Sequence, residues 1–220
     1  MNKYQVHIKG ETPLLMHAHN IAWLEAMRQW GMDPGNKKNS VAGDDRTPAH
    51  RWIGCLYIDG GMVCMPSDNL MSMLREGGKR CPTGKGKGTY MRQSQSGLVV
   101  DQSSWVLEGA CGTIKWSDIE PLTREPDFTK HEAHARELGF ELFAKGVKIG
   151  KARHIRVRPR FDRWACAGTI TVLDDTITEG VLRNILTFAG AYSGLGDWRP
   201  SSESKPGSFG KFTVTMEALR

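Results

Sequence analysis

Apolar and polar residues alternate along several segments of the chain, and this pattern predicts β-strands that bury one face. The predicted strands cover residues 4–9, 153–161, 164–173 and 212–216, with a short hairpin over residues 52–65. Apolar residues at helical spacing predict helices over residues 21–30, 68–80 and 179–192. Ser67 or Asp68 is the expected N-cap of the second helix and Thr178 that of the third, because their side-chain oxygens can accept from the first amides of the helix.

The order of these elements favours an α+β fold. Strand, helix and hairpin come first, and strand, strand, helix and strand come last. This is the element list of a ferredoxin-like, RNA-recognition-like antiparallel sheet with helices on one face. On this interpretation residues 1–78 and 151–220 form the core, and residues 79–150 form a large central insertion, a basic and thumb-like region.

The segment RHIRVRPRF, residues 153–161, separates basic from apolar residues across one strand. One face carries Ile155, Val157, Pro159 and Phe161, and the other carries His154, Arg156, Arg158 and Arg160. Residues two apart on a strand are about 7 Å from each other, which is close to the spacing of phosphates along an extended single strand. The arginine row therefore predicts a phosphate-binding face. Pro159 has no N–H, which favours an edge strand or a bulge.

Positive charge is concentrated in two segments of a chain whose net charge is +6. Residues 145–163 hold eight basic residues and one acid, and residues 79–92 hold five basic residues and no acid. Such segments predict a surface that binds a polyanion, with nucleic acid as the main candidate and an ordinary solvated face as the alternative. The candidate binding residues are Arg153, Arg156, Arg158 and Arg160 in the first segment and Lys79, Arg80, Lys85, Lys87 and Arg92 in the second.

Two glycine-rich segments are further candidates. In the segment over residues 193–211, glycine amides could approach a phosphate, the tryptophan could stack on a base and two cations could pair with phosphates. Its candidate binding residues are Gly194, Gly196, Trp198, Arg199 and Lys211. The alternative is a glycine helix stop followed by a disordered tip. Residues 81–97 predict a flexible basic loop, since their GKGKG run lacks the spacing of a nucleotide-binding phosphate loop.

Several classes of protein are excluded or disfavoured. No apolar stretch is long enough for a membrane helix and no signal-peptide core is present, so we expect a cytoplasmic protein without membrane contact. The five cysteines form no CxxC pair and are expected to be reduced thiols. We expect no metal and no cofactor and assign no catalytic residue, because the paired aspartates fit turns and the histidines lack the usual zinc spacing.

Three segments resemble the RAMP superfamily of CRISPR-associated proteins. The helix GVLRNILTFAGAYSGLG and the loop ending GSFGKFTV are similar to that family's helix, G-x-G loop and final G-[FY]-G strand. The segment MPSDNLMSMLR resembles the internal I-P-G-S-S-L-K-G-x-L-R element, and the opening strand with its TPLLMH turn is similar to the family's N-terminal strand. The TPLLMH and GLGDWRP segments are also similar to small proteins of phages and mobile elements.

The resemblance implies an RNA-recognition-like fold and binding of single-stranded RNA, guide RNA in particular, or of single-stranded DNA. It implies a non-catalytic backbone subunit of a CRISPR-type or mobile-element ribonucleoprotein, with copies of the chain along the strand and other effector subunits beside them. Some RAMP proteins are ribonucleases, so one alternative is an RNA endonuclease of the same fold that uses His7, His17 or His19 as acid–base groups. The other alternative is a regulatory module of a phage or mobile element whose basic face docks an acidic protein.

Overall fold

The chain is described by a computed structural model that covers residues 1–36, 49–149, 152–203 and 205–219. In chain order, the described elements are β1 (Asn2–Gly10), β2 (Leu14–Leu15), α1 (Ile21–Met32), a 3-10 helix (Ala49–Cys55), β3 (Ile58–Asp59), β4 (Met62–Pro66), α2 (Ser67–Arg80), α3 (Met91–Ser96), β5 (Leu98–Val100), β6 (Ser104–Gly109), β7 (Gly112–Thr113), α4 (Trp116–Ile119), a 3-10 helix (Glu120–Arg124), α5 (Phe128–Glu137), β8 (Glu141–Ile149), β9 (Ala152–Phe161), β10 (Ala165–Val172), α6 (Glu179–Phe188), a π-helical turn (Ala189–Ser193) and β11 (Phe212–Leu219). Within the described ranges, no helix has the length and apolar character needed to cross a membrane.

The chain divides into two compact units. The first unit comprises Met1–Leu14, Cys64–Glu108 and Arg163–Arg220, and the second comprises Leu15–Val63 and Gly109–Asp162. These boundaries differ from the expected insertion over residues 79–150. Residues 79–108 belong to the first unit because β5 and β6 pair with β10, and such pairing cannot be read from the order of elements along the chain.

The first unit is built on an antiparallel sheet with the strand order β11, β1, β10, β6, β4, and β5 also pairs with β10. On β1, Tyr4, Val6 and Ile8 are buried, as their alternation predicts. Val6 lies opposite Gly168 of β10 and Met216 of β11, so one face of the three strands forms a core. The sheet and its helices confirm the predicted α+β class.

The second unit holds β8 and β9, which pair antiparallel, and β9 also pairs with the two-residue strand β2. Its core is aromatic: the rings of Phe140 and Phe161 stack with centroids 5.2 Å apart, and Trp52 lies 5.6 Å from Phe140. The indole N–H of Trp52 donates to Nδ1 of His131 (3.0 Å), and Nε2 of that histidine lies 2.9 Å from the carbonyl oxygen of Glu125. The buried imidazole therefore accepts at Nδ1 and donates at Nε2, which is its neutral form.

Local patterns predicted the ends of some elements and not of others. Thr178 caps α6 as expected, since its hydroxyl accepts from the amide of Val181. The expected cap of α2 is wrong: the N-cap position is Pro66, and the amide of Ser67 donates to the carbonyl of Ser103 instead. The regular part of the last helix ends at residue 188 and continues as a π-helical turn.

The glycine-rich segment over residues 81–97 is ordered, contrary to the prediction of a flexible loop. The amide of Thr83 donates to the carbonyl of Gly88, and Pro82 bridges to Thr89, which closes a tight turn. Helix α3 follows directly, and its Ser94 is buried. The tertiary contact of this serine against α2 is not visible in the composition of the segment.

We expect the second unit to lose stability as the pH falls below about 6.5. Burial lowers the pKa of His131, and burial together with the nearby charge of His131 lowers the pKa of His50. Below the pKa of an unfolded histidine, the unfolded chain binds protons that the folded chain does not. The free energy of unfolding therefore has its full value above that pKa, and below it falls by up to about 1.4 kcal/mol per pH unit for each such proton. Urea denaturation at a series of pH values measures the slope.

His131→Gln should be less stable at neutral pH, because the indole N–H of Trp52 loses its hydrogen bond to the imidazole. Its free energy of unfolding should also depend less steeply on pH than that of the wild type. His7→Gln is the control, since His7 is exposed on β1 of the first unit. An equal pH slope in the wild type and in His131→Gln would contradict the assignment.

Candidate nucleic-acid interface

The arginine strand β9 has the two faces that its sequence predicts. Val157, Pro159 and Phe161 are buried in the second unit, and the arginines of the opposite face are half-buried. The expectation of an edge position is wrong, because β9 is the central strand of its sheet. Its neighbour β2 is only two residues long, and beside it the carbonyl of Pro159 accepts from the amide of Met16 (3.1 Å).

The register of β8 adds a cation and an aromatic ring to this face. Lys145 lies opposite Arg156, and Phe143 lies opposite Arg158. The pairing therefore places two cations opposite each other on neighbouring strands. Aromatic and guanidinium groups side by side also suit a ligand with both rings and phosphates.

Arg160, at the end of the row, has two carboxylates beside it. Its Nε and Nη2 donate to the two carboxylate oxygens of Asp162 at 2.6 and 3.0 Å, and its Nη1 lies 3.6 Å from a carboxylate oxygen of Glu141. The bond to Asp162 raises the pKa of the guanidinium. With two carboxylates beside it, the charge of Arg160 is balanced within the chain, which argues against the predicted phosphate contact.

A cleft in the second unit brings the other two arginines together with residues far away in the sequence. The described residues that line the cleft are His17, Ala18, His19, Asn20, Trp23, Leu24, Met27, Arg51, Trp52, Gly54, Cys55, Arg156, Val157 and Arg158, and its volume is about 120 Å³. None of these lining residues is an Asp or a Glu. The rings of His17 and His19 lie 4.8 Å apart.

Backbone hydrogen bonds fix the segment that carries the two histidines. The amide of Ala18 donates to the carbonyl of Cys55 (2.9 Å), and the hydroxyl of Tyr57 donates to the carbonyl of His17 (3.2 Å). Asn20 then caps α1, because its side-chain oxygen accepts from the amide of Trp23. These bonds hold the histidines and the start of α1 in the wall of the cleft.

The second basic segment lies in the first unit, and all five of its cations are exposed: Lys79, Arg80, Lys85, Lys87 and Arg92. The guanidinium of Arg80 lies over the ring of Tyr192, 5.1 Å from its centroid, and Lys79 Nζ is 3.9 Å from a carboxylate oxygen of Glu76. Contacts of this kind between exposed groups are weak. The segment therefore presents positive charge to solvent, on an ordered turn.

The glycine-rich loop after the π-helical turn uses its amides within the chain. The amide of Gly194 donates to Ala189, that of Leu195 to Gly210 and that of Gly210 to Pro13. Gly194, Gly196 and Gly210 have positive φ, which explains glycine at these positions by backbone geometry. The prediction that Gly194 offers an amide to a phosphate is corrected, since that amide already has a partner.

The side chains of this loop are also engaged. The indole of Trp198 stacks on Phe209 with ring centroids 5.4 Å apart, and Nε of Arg199 donates to the hydroxyl of Ser201 (3.0 Å). The backbone of Lys211 bonds to Thr12 through both its amide and its carbonyl. The described part of the loop, without residue 204, is thus an ordered closing segment of the first unit.

Two remaining predictions concern Arg153 and metal binding. Arg153 belongs to β9 by its backbone, and its side chain lies outside the described residues. Among the residues that the structure describes, no three His, Cys, Asp or Glu side chains form a group that could hold a metal ion.

Sequence reasoning missed Trp23, Arg51 and Phe143 as candidate site residues. Phe143 lies in β8, whose apolar residues fall on both faces and give no clear alternation. Trp23 belongs to the apolar residues that predict the helix over residues 21–30, and Arg51 stands alone in its segment. Only the pairing of strands and the contact of α1 with the 3-10 helix before β3 place them near the arginines.

Comparison with known proteins adds no relative. No protein-family model matches the sequence, and no curated protein matches it. The similarity to the RAMP superfamily therefore remains a prediction from the motifs.

Proposed function

We propose that the chain is a single-stranded nucleic-acid-binding protein, without catalytic activity, whose binding site is the cleft of the second unit and the adjoining face of β8 and β9. The observation that carries this proposal is the position of Arg156 and Arg158 in the cleft, together with Arg51 from a distant segment. Guanidinium groups bind phosphate oxygens in a bidentate fashion, and successive positions on one strand face match a repeated anionic ligand.

The connectivity of the first unit supports an RNA-recognition-like fold as part of this proposal. Along the chain, β1, α2, β6, β10, α6 and β11 come in this order, with other elements between them. In the sheet, the strands lie in the order β11, β1, β10, β6. A ferredoxin-like β-α-β-β-α-β unit has this arrangement. RNA-recognition modules of this kind stack bases on aromatic residues of the open sheet face.

The open face of this sheet argues for a binding site elsewhere. On β1 the residues opposite the buried ones are Lys3, Gln5, His7 and Lys9. The register sets these against alanines and threonines of β10 and against threonines, Glu217 and Leu219 of β11, so the described open face of the three strands has no Phe, Tyr or Trp. We therefore assign the nucleic acid to the second unit.

The remaining partners follow from the resemblance to RAMP proteins. Guide RNA is the proposed ligand, and copies of the chain with other effector subunits are the proposed assembly. The exposed cations of residues 79–92 are a further candidate surface, on the first unit. Arg160 and Gly194 are left out, for the contacts given above.

A second candidate function, RNA cleavage, is favoured by the two imidazoles in the cleft. With His17 and His19 rings 4.8 Å apart beside arginines, one imidazole could accept the proton of a ribose 2′-hydroxyl and the other could protonate the leaving oxygen. His7, the third histidine of this alternative, lies on β1 in the first unit and is not among the residues that line the cleft.

The test is a titration of labelled single-stranded RNA with purified protein at several salt concentrations. If three or four phosphates are contacted, the affinity should fall about 20- to 50-fold between about 50 and 200 mM salt. Absence of binding, or binding that does not respond to salt, contradicts the proposal. A protein that purifies without nucleic acid and binds neither RNA nor DNA fits the protein-docking alternative.

The same reactions, run on a denaturing gel in the presence of EDTA, test the second candidate. Cleavage that is lost in His19→Ala supports a nuclease. RNA that remains intact leaves binding as the function.

A further inference from the structure

We infer that the cleft of the second unit holds an unpaired nucleobase against the indole ring of Trp23. This inference rests on the proposed function and names the part of the nucleic acid that the cleft selects. It gives the site a preference for single strands, because the bases of a duplex are stacked and paired inside the helix.

The two walls of the cleft differ in chemistry. One wall is the start of α1, which contributes the apolar side chains of Trp23, Leu24 and Met27. Strand β9 contributes the basic residues Arg156 and Arg158 to the lining. A ligand that satisfies both walls has a flat apolar group and an anionic group close together, as a nucleotide does.

The volume of the cleft favours one group of a larger ligand. At about 120 Å³ it is well below the roughly 300–1,000 Å³ of pockets that enclose a drug-sized molecule. A nucleotide together with the nucleotides on either side of it cannot be enclosed in a cleft of this volume. A single base can enter while the backbone passes along the face of β8 and β9.

Trp23 is placed for such a contact. It is half-buried, and its backbone is fixed by the cap bond to Asn20. Gly54 lies against it so closely that a Cβ at this glycine would be 3.0 Å from the Trp23 Cβ. The absence of a side chain at Gly54 thus lets the indole pack against the 3-10 helix and sets its position in the wall.

Helix α1 is unusual in having no buried residue among its twelve. Leu24, which lines the cleft, is 60% exposed, although burial of apolar residues is what normally holds a short helix in place. An exposed apolar wall next to a cationic wall is what a base-binding slot needs, since stacking gains most where the ring is accessible.

The experiment compares an oligouridine with the same strand carrying abasic sugars, which keep the phosphates and lack the bases. Wild-type protein should bind the oligouridine about 5- to 150-fold more tightly than the abasic strand, the range expected for one base on an aromatic ring. Trp23→Ala should lose that difference while keeping the wild-type dependence on salt, because no charge is removed. Trp23→Phe should recover part of it.

Trp30→Ala is the matched control, since Trp30 is a half-buried tryptophan of the same helix that does not line the cleft. Circular dichroism of each variant checks that the fold is kept, and Trp23→Leu, which keeps apolar bulk, serves if the alanine variant is unstable. Equal binding of both strands by the wild type, or an unchanged difference in Trp23→Ala and Trp23→Leu, overturns the inference and leaves the proposed function standing. No salt-dependent binding of either strand overturns both.

Discussion

Replacing Arg156 and Arg158 together with glutamine is expected to weaken binding of single-stranded RNA about a hundredfold or more. Each guanidinium that pairs with a phosphate contributes charge-assisted hydrogen bonds, which are the strong class of hydrogen bond in water-exposed sites. Because each contact also releases counterions, the slope of log affinity against log salt should become shallower by about 1.4 for the two lost contacts. Salt titrations of wild type and variant measure both quantities.

The matched control for this variant is Arg124→Gln with Arg136→Gln. These two exposed arginines belong to the same unit, their replacement changes the net charge equally, and neither lines the cleft. The control should keep the wild-type slope. If both double variants weaken binding to the same extent, the effect comes from net charge and the cleft is not the site.

The second large effect is on stability. Gly210→Ala should lower the free energy of unfolding by about 3 kcal/mol or more, an effect typical of strained backbone combined with a steric clash. Gly210 has φ of +73°, which an alanine adopts only at a cost, and its added Cβ would overlap the carbonyl oxygen of Leu195. The same two residues share a hydrogen bond from the Leu195 amide to the Gly210 carbonyl, so neither backbone can move away freely.

Gly180→Ala is the control for this prediction. Gly180 lies in the first turn of α6, is exposed, and has no heavy atom within 4 Å of an added Cβ. This substitution should leave stability unchanged or raise it by up to about 1 kcal/mol. Urea denaturation followed by tryptophan fluorescence measures both variants, and a Gly210→Ala protein as stable as Gly180→Ala would refute the structural role of the loop.

The strands and helices with the clearest periodicity could be predicted from the sequence, because their residues report their own burial. The alternation over β9 predicted the burial of Val157, Pro159 and Phe161, although Ile155 is only partly buried. The spacing over α6 predicted its core face and its Thr178 cap. The helix α3 could not be predicted, since its buried Ser94 depends on contact with Gly78 of α2 and not on local composition.

The same limit applied to the candidate site. The row of arginines on one face follows from the period of two residues in a strand, so the sequence determined that Arg156, Arg158 and Arg160 share a side. The surroundings of each arginine were decided by tertiary structure. The pairing with β8 sets Glu141 opposite Arg160, and the turn after the strand brings Asp162 to it.

The sequence by itself therefore determined the α+β class, the alternating faces of β1 and β9 and the location of positive charge, because each of these depends on residues that are close along the chain. The cleft, with Trp23, Arg51 and Arg158 from three distant segments, was decided only by tertiary structure. So were the partners of the glycine amides, because Gly194 bonds back to the π-helical turn and Gly210 bonds to Pro13 near the other end of the chain. Contacts between segments that are far apart in sequence leave no periodic signal in either segment.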